Sequence, residues 1–427
     1  MKNNQTLRRT SRRAAAWLCA ILLAGCGDSA PIGTAGGPTP TLPGGGGGGS
    51  KCALQTTPAF TSNFTPLPAA PVAVSAEVQA ARDALLGPGA TDPAQVKVWW
   101  FGVAGFIASV GGHLFLFDAW EIVGAHADYS PVKREDLAAI KPEAILIGHG
   151  HFDHAGDLGY VAGRSGALVV GGEATCATAR EQAAQDGNEN NFDCLLLGNA
   201  TEPAIGTVQQ IKLWADVEPI TVLRHTHSNQ DATDLAAGNL PLVFVPDILT
   251  YLMYPNTDPE ETARFVQTLD DESGNTPPGG TWAYHLKRGD FTLLWHNSAG
   301  PIAEGKLKAA EINCALDSFP ACVDVQLGTI VGFGAVTSGL RDVGQYVRSA
   351  HPRVQLPNHH DAWAPAVGPG AESYEVQWKA EIASMPNPPE LDYLNDPEDY
   401  LRVRSYRVDD PKWKTPMPGS SCALAGN

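Results

Sequence analysis

The chain has 427 residues, of which 43% are hydrophobic and 18% charged, a composition typical of a globular protein with a sizeable core. Its 46 acidic side chains outnumber the 29 basic ones and give a net charge of −17. A general nucleic-acid-binding protein is excluded because it needs a basic surface. No stretch reaches the ~18 consecutive apolar residues that a transmembrane helix requires, so none is expected.

Residues 1–25 predict an export signal. Five basic residues precede the apolar run Ala14–Ala24, which is too short to span a membrane. The run ends in Leu-Leu-Ala-Gly followed by Cys26, which resembles the lipobox of bacterial lipoproteins. In that family the signal is cut before the cysteine, which is then lipidated. A plain secretory signal is the alternative. We expect a protein exported to the periplasm or cell exterior, in contact with a membrane only through lipid on Cys26.

Residues 26–51 are rich in glycine and proline and predict a flexible tether. Residues 52–427 are predicted to form a single domain. An irregular insertion at about 229–280 contains six prolines and is expected to be an added segment or a loop that shapes a site.

Six cysteines follow Cys26, and an even number in an exported chain suggests disulfides. Sequence separation suggests the pairs Cys176–Cys194 and Cys314–Cys322, with Cys52–Cys422 joining the two chain ends. A thiolate metal site is the alternative, but no C-x-x-C pair supports it.

Strand-like and helix-like runs alternate from about residue 94 onward. The patterns predict a hairpin of 96–110 with 113–120, a helix at 134–140, strands at 143–148 and 167–170, a helix at 173–185, strands at 208–214 and 220–225, a hairpin over 281–295, a strand at 323–331, a helix at 340–349 and a strand at 354–356. Early β-hairpins followed by β-α alternation indicate two sheets flanked by helices. The aromatic run Trp99 to Phe101 is expected to lie in the core, and His285 to be structural.

The residues that carry chemistry follow the apolar strand at 143–148. The sequence His149-Gly150-His151-Phe152-Asp153-His154 places three histidines and one aspartate within six residues. Neutral imidazole suits zinc and similar ions, and a carboxylate adds a hard oxygen donor. On a tight loop, alternate residues can face two neighbouring metal positions. The segment therefore predicts a metal centre.

This H-x-H-x-D-H string resembles the signature of the metallo-β-lactamase superfamily, and the resemblance extends over residues 95–365. Three other elements match in order: Asp118 at the end of the early hairpin, His227 with His225 as the alternative, and His359 with His360 as the alternative. The His227-Ser228 pair resembles the branch that contains ascorbate-6-phosphate lactonase and N-acylphosphatidylethanolamine phospholipases. The resemblance implies an α/β fold, a four-layer αββα sandwich of two mixed sheets flanked by helices.

The resemblance also implies a set of ligands. His149, His151 and His227 would hold a first metal, and Asp153, His154 and His359 a second. The expected cofactor is Zn²⁺, one or two per chain, with Mn²⁺ or iron as alternatives. The metals would lower the pKa of a shared water to supply a hydroxide nucleophile. Asp118 and Asp153 are the candidate catalytic carboxylates, and Asp118 would orient ligands or water without binding metal.

One element departs from the superfamily pattern. A metal-bridging aspartate usually follows the later hairpin, in a form like Gly-Asp-Ser/Thr-Gly. Here the hairpin is followed by His296-Asn297-Ser298-Ala299-Gly300, and either Asn297 or Ser298 occupies that position. Neither is anionic, so we expect a weaker second metal or a different preferred ion. His296 is an alternative ligand.

These observations predict an exported metal-dependent hydrolase that acts on a small-molecule ester or lactone. Phosphodiesters, phospholipids and β-lactams are alternative substrates within the same fold. A mononuclear iron oxygenase and a non-catalytic binding lipoprotein are alternatives from other classes. No nucleic-acid partner is expected, and the oligomeric state stays open.

Overall fold

A computed structural model describes residues 55–56, 64–122, 130, 132–198, 203–228, 279–300, 302, 309–317, 319, 322–330, 340–361, 370–415 and 417–418. The predicted export signal, the tether and nearly all of the predicted insertion lie outside these residues. So do Cys52 and Cys422. No helix in the described part of the chain combines the length and apolar character needed to cross a bilayer.

The described residues contain strands in two sheets. The strands are β1 (Gln55–Thr56), β2 (Gln95–Gly102), β3 (Gly105–Val110), β4 (His113–Phe117), β5 (Ala144–Leu146), β6 (Leu168–Gly171), β7 (Cys194–Leu196), β8 (Thr207–Ile211), β9 (Ile220–His225), β10 (Thr281–Arg288), β11 (Phe291–His296), β12 (Val325–Thr329), β13 (Val354–Asn358), β14 (Glu390–Leu391) and β15 (Arg404–Arg407). One sheet has the order β15-β2-β3-β4-β5-β6-β7, and the other β1-β8-β9-β10-β11-β12-β13-β14.

Helices connect and cover these strands. They are α1 (Ala76–Leu86), α2 (Arg134–Ala139), α3 (Phe152–Ala155), α4 (Leu158–Ser165), α5 (Glu173–Ala184), α6 (Ala309–Asp317), α7 (Arg341–Ala350) and α8 (Glu372–Ala383), with a short 3₁₀ helix at Pro411–Lys414. Short N-terminal hairpins and later β-α crossovers give both sheets antiparallel and parallel pairs, as the sequence predicts.

Side-chain alternation along the strands separates three hydrophobic layers. In β2, Val98 and Trp100 face the core between the two sheets, whereas Trp99 and Phe101 face the outer layer that includes side chains of α2, α4 and α5. A third layer packs α6, α7 and α8 against the outer face of the second sheet. The four-layer αββα architecture and the core position of the aromatic run are therefore confirmed.

One predicted strand is wrong. The run 96–110 was expected to be one arm of a hairpin, but it forms two strands, β2 and β3, that turn at Val103 and Ala104. Gly102 and Val103 have φ of 118° and 50°, which an extended strand cannot accommodate. The residues before, within and after this two-residue turn are nearly all apolar, so the sequence shows no break between the two strands. The result is a three-stranded meander of β2, β3 and β4.

The cysteine predictions have mixed outcomes. Cys176 and Cys194 form a disulfide that joins α5 to β7, with Cα atoms 6.3 Å apart. The predicted Cys314–Cys322 pair is wrong, because Cys314 is a free thiol on α6 whereas Cys322 is disulfide-bonded. Closeness in sequence misled here, since the pairing of two cysteines depends on how the helix that carries Cys314 packs in the outer layer and not on their separation along the chain.

Candidate metal centre

Five strands of the two sheets end at one side of the sandwich, and polar side chains follow each of them. β4 and β5 are parallel, and so are β9, β11 and β13, because β10 is antiparallel to both β9 and β11. The residues concerned are Asp118 after β4, the segment 149–154 after β5, His227 after β9, Asn297 after β11 and His359 after β13. The strand directions bring together groups that are up to 241 positions apart in sequence.

The loop after β5 is held from both sheets. Asp118 Oδ1 accepts a hydrogen bond from the Gly148 amide at 3.0 Å, and the Gly148 carbonyl accepts one from the Trp282 amide at 2.7 Å. The Tyr284 hydroxyl donates to the Ile147 carbonyl at 2.8 Å. His151 is the N-cap of the short helix α3, and Asp153 lies in the first turn of that helix. Local hydrogen bonding therefore determines where the histidine-rich segment points.

A first group of donor atoms comes from three histidines. His149 Nε2 lies 3.1 Å from His151 Nδ1, and the ring of His227 lies with its centroid 4.5 Å from both of theirs. One nitrogen from each ring lies within 4.8 Å of the others. His225, the alternative to His227, instead bonds the Tyr346 hydroxyl through Nδ1 at 2.9 Å, beneath α7.

A second group lies beside the first. Asp153 Oδ2 is 3.3 Å from His154 Nε2 and 3.2 Å from His359 Nε2, and the two nitrogens are 3.2 Å apart. His360, the alternative to His359, lies elsewhere: its Nε2 donates to the Leu394 carbonyl at 2.8 Å and its ring stacks on Trp100.

Burial lowers the pKa of four imidazoles in these groups, those of His149, His151, His227 and His359, and so favours their neutral form. Burial and then the neighbouring histidines lower the pKa of His149 and His227 well below its ordinary value, and burial lowers that of His151 to about 4. Burial alone would raise the pKa of Asp153, but the His154 charge and the hydrogen bond from His359 outweigh it and lower that pKa. Burial raises the pKa of Asp118, and His154 opposes this.

The proton of His154 points away from the second donor group. His154 Nδ1 lies 2.7 Å from Asp118 Oδ2, so its proton sits there and the lone pair of Nε2 faces Asp153 Oδ2 and His359 Nε2. Asp153 Oδ2, His154 Nε2 and His359 Nε2 lie within about 3.3 Å of one another, close enough for one cation to bind all three. Nitrogen and carboxylate donors in this mixture fit a divalent ion of the zinc type.

Asn297 and Ser298 stand where the superfamily usually has a metal-bridging aspartate, and neither side chain belongs to the two donor groups. The Asn297 amide bonds Asp118 and His149, while Ser298 Oγ donates to Ser228 Oγ at 2.9 Å. His296 bonds the Ser298 carbonyl through Nδ1 and the Gln326 amide through Nε2, so it does not join either donor group.

Sequence reasoning did not identify two contributions to the centre. Asn297 links Asp118 to His149, and Asp361 holds the turn at Val103 against the His359 segment. The only sequence signal for Asn297 was its place in a motif that normally carries an aspartate. Nothing in the sequence pointed to the role of Asp361 beyond its closeness to His359.

Comparison with known proteins finds similar sequences and structures. Residues 98–216 match the family described as "Metallo-beta-lactamase superfamily", a segment that includes Asp118 and all four residues of the H-x-H-x-D-H string. A "UPF0173 metal-dependent hydrolase" of Pyrobaculum islandicum is 38% identical over 76 residues, which are 18% of this chain and 32% of that protein. The chain thus matches about a third of the length of that relative.

A "UPF0173 metal-dependent hydrolase" of Methanopyrus kandleri is 25% identical over 197 residues, 42% of this chain and 81% of that protein. Among solved structures, Igni18, a metallo hydrolase of Ignicoccus hospitalis, is 14% identical with a TM-score of 0.43, over 73% of this chain and 98% of that one. The fold is a sandwich of two sheets, and the H-x-H-x-D-H motif lies in a candidate metal centre at one edge of it. Over residues 98–216 the chain is similar to the metallo-β-lactamase superfamily.

Proposed function

We propose that this protein is an exported metal-dependent hydrolase whose substrate is a small carboxylic ester or lactone. The observation that carries the proposal is the pair of adjacent donor groups, His149/His151/His227 and Asp153/His154/His359, at the shared edge of the two sheets.

A divalent ion held by these residues lowers the pKa of a bound water and stabilises negative charge on a substrate oxygen. The first group offers three neutral nitrogens, and the second adds the charge of Asp153. Asp118 is 1% exposed and keeps the His154 proton on Nδ1, so it acts on the ligands rather than on substrate. Asp153 Oδ2 lies 3.3 Å from His154 Nε2 and 3.2 Å from His359 Nε2, so it is the carboxylate oxygen that the second group offers to an ion.

Two observations support a location outside the cytoplasm. The N-terminal segment resembles an export signal, and Cys176–Cys194 is a disulfide, a bond that persists mainly in oxidising compartments. The ester or lactone class is supported by the His227-Ser228 pair, which resembles the lactonase-containing branch. A small neutral or cationic substrate suits the acidic chain better than a polyanion does.

The metal centre is tested by elemental mass spectrometry on the purified full chain and its variants. We expect one or two zinc or manganese ions per chain, and a loss of at least about tenfold in metal affinity in His151→Ala and His359→Ala. His351→Asn is the matched control. His351 ends α7 with φ of 47°, a conformation that asparagine tolerates, and it lies outside both donor groups. A metal-replete His151→Ala variant would refute the site.

The substrate class is tested on the metal-loaded protein with a panel of lactones, carboxylic esters, phosphodiesters and β-lactams. We expect turnover of lactones or esters by the native chain and His351→Asn, and none by His151→Ala. Turnover of phosphodiesters alone would replace the proposed substrate class. A single bound iron with oxygen consumption would replace hydrolysis by an oxygenase activity.

A further inference from the structure

The buried amide of Asn297 lies between a carboxylate and an imidazole. Its Nδ2 donates to Asp118 Oδ2 at 2.8 Å, and its Oδ1 lies 2.9 Å from His149 Nδ1. The side chain is 1% exposed. Gly148 leaves room for it, because a Cβ atom on Gly148 would lie 2.2 Å from the amide. The contact therefore depends on a close approach between the end of β11 and the loop after β5.

This arrangement determines which way the amide and the ring face. An ionised carboxylate only accepts hydrogen bonds, so the amide nitrogen must point at Asp118 and the amide oxygen at His149. The oxygen can only accept, and His149 must therefore carry its proton on Nδ1. The lone pair of His149 Nε2 is then directed towards His151 Nδ1, 3.1 Å away.

The same carboxylate oxygen serves both donor groups. Asp118 Oδ2 accepts from His154 Nδ1 at 2.7 Å in addition to Asn297 Nδ2. His154 is oriented directly, and His149 is oriented through the amide. Asn297 is thus the link that extends the influence of Asp118 from the second donor group to the first.

We propose that Asn297 is a positioning residue that holds His149 in the tautomer with Nε2 free and couples that ring through Asp118 to His154. The inference rests on the proposed metal centre, which gives the free Nε2 its use. It also explains why this position carries a neutral side chain: a carboxylate at 297 would place two negatively charged oxygens about 2.8 Å apart in a buried site.

The first measurement reads the tautomer of His149 without any metal. Histidine ¹⁵N NMR on the chelator-treated full chain, assigned with His149→Gln, should show Nδ1 protonated in the native protein. In Asn297→Ala the signal should move towards the Nε2-protonated form. Asn313→Asp is the matched control, because Asn313 lies on α6 and its Oδ1 only accepts hydrogen bonds from Gln345 and Ser349.

The second measurement is the zinc affinity, by competition with a chromophoric chelator. Loss of a residue that orients a metal ligand typically costs about 10–100-fold in affinity, and we expect a loss of that size in Asn297→Ala. Asn297→Asp, which keeps the volume of the side chain, should also bind zinc more weakly than the native chain. Asn313→Asp should bind it unchanged.

The outcomes separate this inference from the proposed function. An unchanged His149 tautomer together with unchanged zinc affinity in Asn297→Ala would refute the positioning role. Tighter binding by Asn297→Asp would show that position 297 is a ligand position and would also refute it. If Asn297→Ala does not fold, Asn297→Asp decides between these results. The expected tautomers in a native chain that binds no zinc would leave the positioning role standing while the proposed function fails.

Discussion

At the residue scale, three of the six non-glycine residues with positive φ in the described part of the chain lie beside the candidate metal centre. Val103, Asp118 and His359 have φ of 50°, 57° and 65°, and such left-handed conformations cost non-glycine residues about 1–3 kcal/mol each. Asp118 and His359 each directly follow a strand, so the turn redirects their side chains into the centre. Val103 is the least suited, because it is β-branched.

Hydrogen bonds hold Val103 in this conformation. Its amide donates to Asp361 Oδ2 at 2.9 Å, and its carbonyl accepts from the His359 amide at 2.7 Å and from Trp100 Nε1 at 2.9 Å. The Tyr400 hydroxyl donates to the same Asp361 oxygen at 2.5 Å. The strained turn and the His359 segment therefore support each other.

We predict that Asp361→Ala lowers the free energy of unfolding by about 1–3 kcal/mol, since it leaves the buried Val103 amide and Tyr400 hydroxyl without an acceptor. Asp361→Asn keeps an oxygen in place and should cost less than about 1 kcal/mol. Urea denaturation of the two variants checks this. Equal losses in both would mean that the carboxylate charge, not the acceptor, matters.

At the element scale, a buried histidine joins the two sheets at the end opposite to the metal centre. His113 begins β4, and its ring nitrogens lie 2.7 Å from Glu143 Oε2 and 2.8 Å from Asp216 Oδ1. Trp214 stacks on the ring and also donates to Glu143. Since both ring nitrogens face carboxylates, both carry protons. This imidazolium connects β4 to the segment before β5 and to the connection between β8 and β9.

The His113 contact gives stability a defined pH dependence. Burial lowers the pKa of His113, but its hydrogen bonds and ion pairs with Glu143 and Asp216 outweigh burial and raise that pKa. Arg288, the nearby cation, donates to the Asp216 carbonyl. A raised folded-state pKa stabilises the protein below the unfolded-state value, and this contribution is lost as the pH rises through the folded-state value.

We therefore predict that the native chain loses more unfolding free energy between pH 6 and pH 9 than His113→Gln, whose amide does not titrate. At pH 6 the variant should be less stable by about 1–3 kcal/mol, because the half-buried carboxylates of Glu143 and Asp216 lose their charged partner. Urea denaturation at the two pH values measures both quantities. A difference between the proteins that does not change with pH would rule out the imidazolium as its cause.

At the scale of the whole molecule, the two donor groups combine residues from both sheets. The segment 149–154 follows a strand of the first sheet, whereas His227 and His359 follow strands of the second. An ion bound by these residues would therefore cross-link the two halves of the sandwich. Binding to the folded state alone adds stability in proportion to the logarithm of metal concentration over the dissociation constant.

We predict that chelation lowers the melting temperature of the native chain and that zinc restores it. Free zinc at 100 times the dissociation constant should add about 2.7 kcal/mol of stability. Calorimetry with a chelator and with zinc measures the shift. His151→Ala should melt at the same temperature in both conditions, and a native chain that does so too would show that no ion joins the sheets.

The sequence by itself determined the class of fold and the core of the centre. Strand and helix periodicity and burial are local properties, and the H-x-H-x-D-H string is contiguous, so both can be read without knowing the tertiary structure. The Cys176–Cys194 pair was also predicted, because the connection between its helix and strand is short.

Only the tertiary structure decided how distant residues meet. It places His227 rather than His225, and His359 rather than His360, beside the donor groups, because strand direction and the left-handed turn at His359 orient these side chains. It shows Asn297 bonded to Asp118, 179 positions away, and Cys322 paired with a cysteine other than Cys314. Such contacts depend on how the two sheets pack, and no local pattern in the chain encodes that packing.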